Sequence, residues 1–276
     1  MKYIDVSEWQ GVIDWEKVKP NIDGAILRAG YGKNHPDQRF TYNISECNRL
    51  GIPCGAYWFS YAYNPGMAAQ EAGDLLKAVK PYKIELPLAF DFEYDSTKNA
   101  TNNGATVTMQ LVSDMVRAFC DTIEAAGYYV LNYANPDYLD RYLDDNVEMR
   151  FGTWLASWPV AKKFDKGKPP RGCAIWQWGT STVPGIAGAV DTNEAFHDFK
   201  TVIINAGLNN LQPAPPGLGE AAPQPEGSSV CAQKAPARLG FPGALPQRRV
   251  VWMWFGAFPG AFGLGRAQPQ RRGTSP

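Results

Sequence analysis

The chain has 276 residues, room for one large α/β barrel or two smaller domains. Its 27 Lys and Arg balance 27 Asp and Glu to a formal net charge of zero, which argues against nucleic acid or an anionic membrane as the main partner, since both demand a basic surface. Five Cys without a CxxC or Cys/His cluster read as buried free thiols rather than a disulfide framework or a zinc site, and with only His35 and His197 available neither metal nor cofactor is expected.

Met1-Lys2 runs straight into Tyr3–Val6, a first strand, with no apolar stretch ahead of it. A secretory signal peptide is therefore not expected, and synthesis in the cytoplasm is. Ser7–Gly11 reads as the following loop and Ile13–Val18 as a short helix stopped by Pro20. Gly24–Tyr31 is a buried strand carrying Arg28, which must pair with an acid if buried. Gln38–Leu50 is a helix, Gly51–Ser60 the third strand, and Met67–Val79 a helix with Ala, Leu and Val at helical spacing. Leu86–Glu93 is the fourth strand and Thr106–Ala126 a long helix. Tyr128–Tyr133, Gly152–Ala156, Ala174–Trp178 and a short Ala189–Asp191 read as further strands. Asp137–Leu143 is a short helix between the first two of these, and Glu194–Ile204 a closing one.

Strand and helix alternate through the first five units, which means parallel strands with crossover helices. The expected fold is α/β, an irregular (β/α) TIM-like barrel, regular in its first half and helix-poor in its second. Residues 1–210 are assigned to the barrel. Residues 211–276 form a Pro/Gly-rich tail holding half of the 22 prolines and read as a disordered or non-native appendage. Its apolar run Val250–Phe258 is too short for a membrane span, so no stable membrane insertion is expected.

The chemistry centres on Asp91-Phe92-Glu93. Strand side chains alternate faces, so both carboxylates point one way with Cα atoms about 7 Å apart, and like charges this close leave one of the pair with a raised pKa. A general acid needs that property. Parallel barrel strands deliver their C-terminal ends to one face. There the strand ends would gather Asp5, Asp91, Glu93 and Asp191 with Tyr57, Phe59, Tyr133, Trp154 and Trp178, the aromatics as candidate groove-lining residues. Taken alone, Asp191 can equally be an N-cap of the closing helix, and each aromatic can equally be core.

The same residues resemble a known family. Asp5-Val-Ser-Glu-Trp-Gln-Gly11, Ile13-Asp-Trp15, Gly55-Ala-Tyr-Trp-Phe59, Asp91-Phe-Glu93, Trp176-Gln-Trp178 and Val190-Asp191 look like the glycoside hydrolase family 25 muramidases, the Chalaropsis-type lysozymes, over residues 1 to about 205. The resemblance implies cleavage of the β-1,4 bond between N-acetylmuramic acid and N-acetylglucosamine in bacterial peptidoglycan, with Glu93 as proton donor and Asp91, Asp5 and Asp191 completing the site. A second group must either attack the sugar as a nucleophile or help the substrate's own 2-acetamido oxygen do so. The second option is favoured, with Asp91 orienting the acetamido group, because both sugars carry one. An endolysin-like monomer fits, released to the wall by a holin-type membrane-permeabilising partner, by cell lysis or by non-classical export. A chitinase-like glycosidase and a non-catalytic carbohydrate-binding barrel are the rival readings.

Overall fold

The structure, a computed structural model, describes residues 1–158 and 169–212. The tail from residue 213 onward therefore lies outside the described residues. Among the described residues nine strands form one sheet: β1 (Lys2–Val6), β2 (Gly24–Tyr31), β3 (His35–Pro36), β4 (Cys54–Phe59), β5 (Leu88–Asp91), β6 (Val130–Ala134), β7 (Thr153–Ala156), β8 (Ile175–Thr182) and β9 (Ala189–Ala195). Strands β1, β2 and β4 through β8 pair in parallel. Strand β9 runs antiparallel to both β8 and β1 and closes an eight-stranded barrel, while the short β3 only extends β2. The irregularity expected of the second half therefore includes one reversed strand.

Among the described residues eight α-helices surround the strands: α1 (Trp15–Val18), α2 (Phe40–Leu50), α3 (Pro65–Val79), α4 (Tyr94–Asn102), α5 (Met109–Ala125), α6 (Pro136–Tyr142), α7 (Asp145–Phe151) and α8 (Phe199–Asn205). Most start where the sequence offers a side chain to an orphan backbone N–H. Asn64 caps α3, Thr108 caps α5, Asn135 caps α6, Asp144 caps α7 and Asp198 caps α8. Among the described residues no helix is long and apolar enough to cross a membrane.

Alternation along the strands builds two apolar layers. Leu88 and Phe90 of β5 face outward, where Phe90 packs on Phe119 of α5 with ring centroids 4.7 Å apart. Ala89 faces the barrel interior with Tyr3, Ile26, Leu131 and Trp154. Phe199 and Ile203 of α8 join this inner cluster. Asn209, just beyond α8, donates to the carbonyls of Ile84 and Leu86 and accepts from the Tyr129 N–H, so the closing segment sits at the N-terminal ends of β5 and β6. The opposite mouth, at the C-terminal strand ends, is left for a site. Gly55 is required where β4 meets the chain entering β5, since a Cβ there would lie 2.2 Å from the Pro87 carbonyl oxygen.

Four expectations are corrected. The ladder of the fourth predicted strand stops at Asp91, and Glu93 is instead the N-cap residue of α4, still extended at φ −126° and ψ −165°. Helix α4 is absent from the sequence reading because Asp95–Asn102 has few helix formers. It is held by tertiary contacts: Ser96 and Ala100 are buried, and Asn99 donates to the Tyr61 carbonyl. Helix α7 was likewise unexpected. Strand β9 runs on through Glu194, displacing the closing helix to Phe199, because Thr192 and Asn193 are buried between two antiparallel neighbours. Asp191 therefore lies within a strand and caps nothing. Among the described residues Cys47, Cys54, Cys120 and Cys173 are free and buried, as expected of them, and Cys231 lies outside the described residues.

Candidate active site

A cleft of about 230 Å³ opens at the C-terminal mouth of the barrel, and Asp5, Asp91, Glu93 and Asp191 all line it. Asp5 and Asp91 arrive at the C-terminal ends of β1 and β5, and Glu93 two residues further along extended chain. Asp191 reaches the same mouth from near the start of β9, because an antiparallel strand brings its N-terminal end where its neighbours bring their C-terminal ends. Phe90 and Phe92 turn outward, their rings stacked 13° from parallel, which leaves Asp91 and Glu93 facing inward together.

Burial sets the electrostatics. Desolvation pushes Asp91 well above the usual carboxylate range, and the neighbouring Glu93 adds to it. Glu93 is itself raised, chiefly by burial, while its contacts with Asp91 and with the Tyr133 hydroxyl pull it partly back. With both carboxyls raised and side by side, the arrangement favours a neutral form of one member of the pair. Asp91 Oδ1 is buried and meets no protein hydrogen-bond donor. Asp5 is pushed up to about 7 by burial and then by Asp191, against the donation of Asn193 and Gln177. Burial raises Asp191 as well.

Of the predicted aromatics, Tyr57, Phe59, Tyr133 and Trp154 line the cleft. Trp154 is a floor rather than an open platform: it is 1% exposed and packs edge-on against Tyr57 and Tyr133. Trp178 is a correction. Along β8 it is Gln177 that faces the barrel interior, so Trp176 and Trp178 pack against the outer layer and do not line the cleft. Period-two alternation across Trp-Gln-Trp carried that signal.

Several lining residues were given no role from sequence. Trp9, 80% exposed, stands at the rim as the open aromatic surface. Its short 3-10 turn, Glu8–Gln10, is fixed by a capping box in which Ser7 accepts from the Trp9 N–H and Gln10 Oε1 accepts from the Ser7 N–H at 2.8 Å. Arg28 pairs with acids as expected, its Nε donating to Asp37 at 2.8 Å and its Nη2 to Glu8 at 2.9 Å. Among the described residues no group of three or more His, Cys, Asp or Glu is arranged to hold a metal ion.

Two neighbouring carboxyls of raised pKa, Asp91 buried and Glu93 half-buried, beside two further acids and an aromatic wall can protonate a leaving oxygen and stabilise positive charge, the two requirements of glycoside cleavage. Comparison with known proteins leads to the same chemistry. The sequence model of the glycosyl hydrolases family 25 matches residues 4–186. Lysozyme M1 of Streptomyces globisporus is 43% identical over 204 residues, 69% of this chain and 66% of that protein, so this chain spans about two thirds of that relative's length. The modular autolysin LytC from Streptococcus pneumoniae, solved in complex with a synthetic peptidoglycan ligand, superposes with a TM-score of 0.57 at 30% identity, covering 70% of this chain and 46% of that one. A family 25 glycosyl hydrolase from Bacillus anthracis gives 0.59 at 23% identity, over 73% of this chain and 92% of that one, and speaks to the fold.

Proposed function

The chain belongs to glycosyl hydrolase family 25, and on that premise we propose that it is a muramidase, hydrolysing the β-1,4 bond between N-acetylmuramic acid and N-acetylglucosamine in bacterial peptidoglycan. Its partner is the glycan strand and its place of action the cell wall. The observation that carries the reading is the gathering of Asp5, Asp91, Glu93 and Asp191 in one cleft at the C-terminal mouth of the barrel, where burial raises the pKa of Asp91 and Glu93.

Glu93, the member of the pair beyond the strand ladder, donates a proton to the glycosidic oxygen as the C1–O bond breaks. Asp91, which lines the cleft beside Glu93, accepts the N–H of the 2-acetamido group. The acetamido carbonyl oxygen then attacks C1 and forms an oxazolinium ring, and water opens it with Glu93 taking back a proton. Asp5 and Asp191 supply the negative charge that offsets the oxocarbenium-like transition state. Tyr57, Phe59 and Tyr133 wall the sugar subsite, with Trp9 at its rim.

The test is release of new reducing ends from purified peptidoglycan and, separately, from chitin, by wild type and Glu93→Gln. Release from peptidoglycan by wild type, reduced about 10²- to 10⁴-fold in the variant, is the expected result. Preference for chitin would turn the reading toward a chitinase-like enzyme. Release from neither would turn it toward a carbohydrate-binding barrel.

A further inference from the structure

Asp5 is the one carboxyl of the four for which the structure shows two side-chain amides donating to a single oxygen. Asn193 Nδ2 donates to Asp5 Oδ2 at 2.8 Å and Gln177 Nε2 donates to the same oxygen at 3.1 Å. All three residues are buried: Asn193 is 0% exposed, Gln177 5% and Asp5 7%.

An amide can turn its oxygen or its nitrogen toward a neighbour, and the oxygen would repel Asp5. Indoles decide the matter. An indole N–H can only donate. Trp154 Nε1, 2.7 Å from Asn193 Oδ1, therefore commits that oxygen to the indole and the NH₂ to Asp5. At Gln177 the oxygen accepts from Trp158 Nε1 at 3.4 Å, which again turns the NH₂ toward Asp5.

We propose that Asn193 and Gln177 are positioning residues that favour Asp5 as the anion of the cleft, with the indoles of Trp154 and Trp158 setting the direction of both amides. Proton delivery and charge stabilisation are thereby separated. The structure shows no such amides on Asp91 or Glu93, whereas Asp5 Oδ2 receives two, an arrangement that favours its ionised form. This division matters because the groups facing Asp5 work against its ionisation. Asp191 comes from β9, Asp91 from β5 and Glu93 from the turn into α4, and Arg28 on β2, the cleft's cation, is already shared between Glu8 and Asp37. The Tyr57 and Tyr133 hydroxyls complete the surroundings.

The proposal rests on the muramidase reading for the use made of Asp5, but its main test does not need turnover. Carboxyl ¹³C NMR titration of the whole chain, with the Asp5 signal assigned by its loss in Asp5→Asn, reads the ionisation directly. In Asn193→Leu and in Trp154→Phe, which spares Asn193 but frees its amide to turn, the Asp5 midpoint is expected to rise by about one pH unit or more. The acid limb of the kcat/KM profile on peptidoglycan should rise by the same amount, with KM changed less than kcat. An unmoved Asp5 midpoint in folded Trp154→Phe would overturn the proposal, even with activity lowered, because a merely structural role lowers rate without moving that titration. If wild type releases no reducing ends while the NMR shift appears, the muramidase reading fails and the amide device stands.

Discussion

Asp5 and Asp191 are register partners across the antiparallel β1–β9 pair, two carboxylates set directly opposite each other on the strands that close the barrel. Like charges in that relation are unfavourable, and after burial Asp191 is the largest influence raising Asp5. Asp191→Asn should therefore lower the Asp5 pKa. Since Asp5 acts ionised, the acid limb of kcat/KM moves to lower pH, by about half a unit or more, whatever the loss in rate. Substitutions at Asn193 move the same limb upward. A pH–rate profile of Asp191→Asn whose acid limb stays in place would contradict this.

How far the sequence carries the site is visible in these same residues. Asp5, Asp91, Glu93 and Asp191 were legible because strand ends of a barrel share one rim, and that rule survives the reversal of β9. The reversal was not legible: Ala189–Ala195 is short, and its pairing with β1 depends on residues nearly two hundred positions away. Trp178 was misplaced because an aromatic at a strand end satisfies the inner and the outer layer equally well, and only the register of Gln177 decides. Asn193 left no trace, since an amide acquires meaning from the indole and carboxylate that meet it in space. Helices α4 and α7 form on caps and tertiary contacts rather than on apolar periodicity.

The acetamido route makes its own demand on the substrate. If Asp91 holds an N–H and the neighbouring carbonyl attacks C1, peptidoglycan stripped of its N-acetyl groups loses the nucleophile. Its cleavage should be slower by at least about 100-fold at equal binding. Undiminished turnover, measured as reducing ends per minute, would sink the route and leave a carboxylate nucleophile in its place.

Glu71 adds a pH dependence of stability from outside the cleft. It is 1% exposed and, among the described residues, pairs with no cation. It accepts from Ser60 Oγ at 2.5 Å and from the Tyr61 N–H at 2.9 Å. Burial pushes it from 4.5 up to about 7. Between those values the folded chain binds a proton that the unfolded chain has released. Its contribution is therefore fully present below about pH 4.5 and lost as pH rises through 7. Glu71→Gln removes the buried charge and should flatten this stretch of the stability curve, relieving about 3 kcal/mol by pH 8. Denaturant titrations at pH 4.5 and 8 check it, and parallel curves for variant and wild type would contradict it.

The account turns on which bond is cut. Purified peptidoglycan digested by the wild-type chain, reduced with borohydride and analysed by mass spectrometry, identifies the sugar at each new reducing end. Cleavage on the muramic acid side, as the Glu93 reading requires, yields N-acetylmuraminitol from wild type and little or none from Glu93→Gln. N-acetylglucosaminitol as the new end, or equal muraminitol from both proteins, would contradict it.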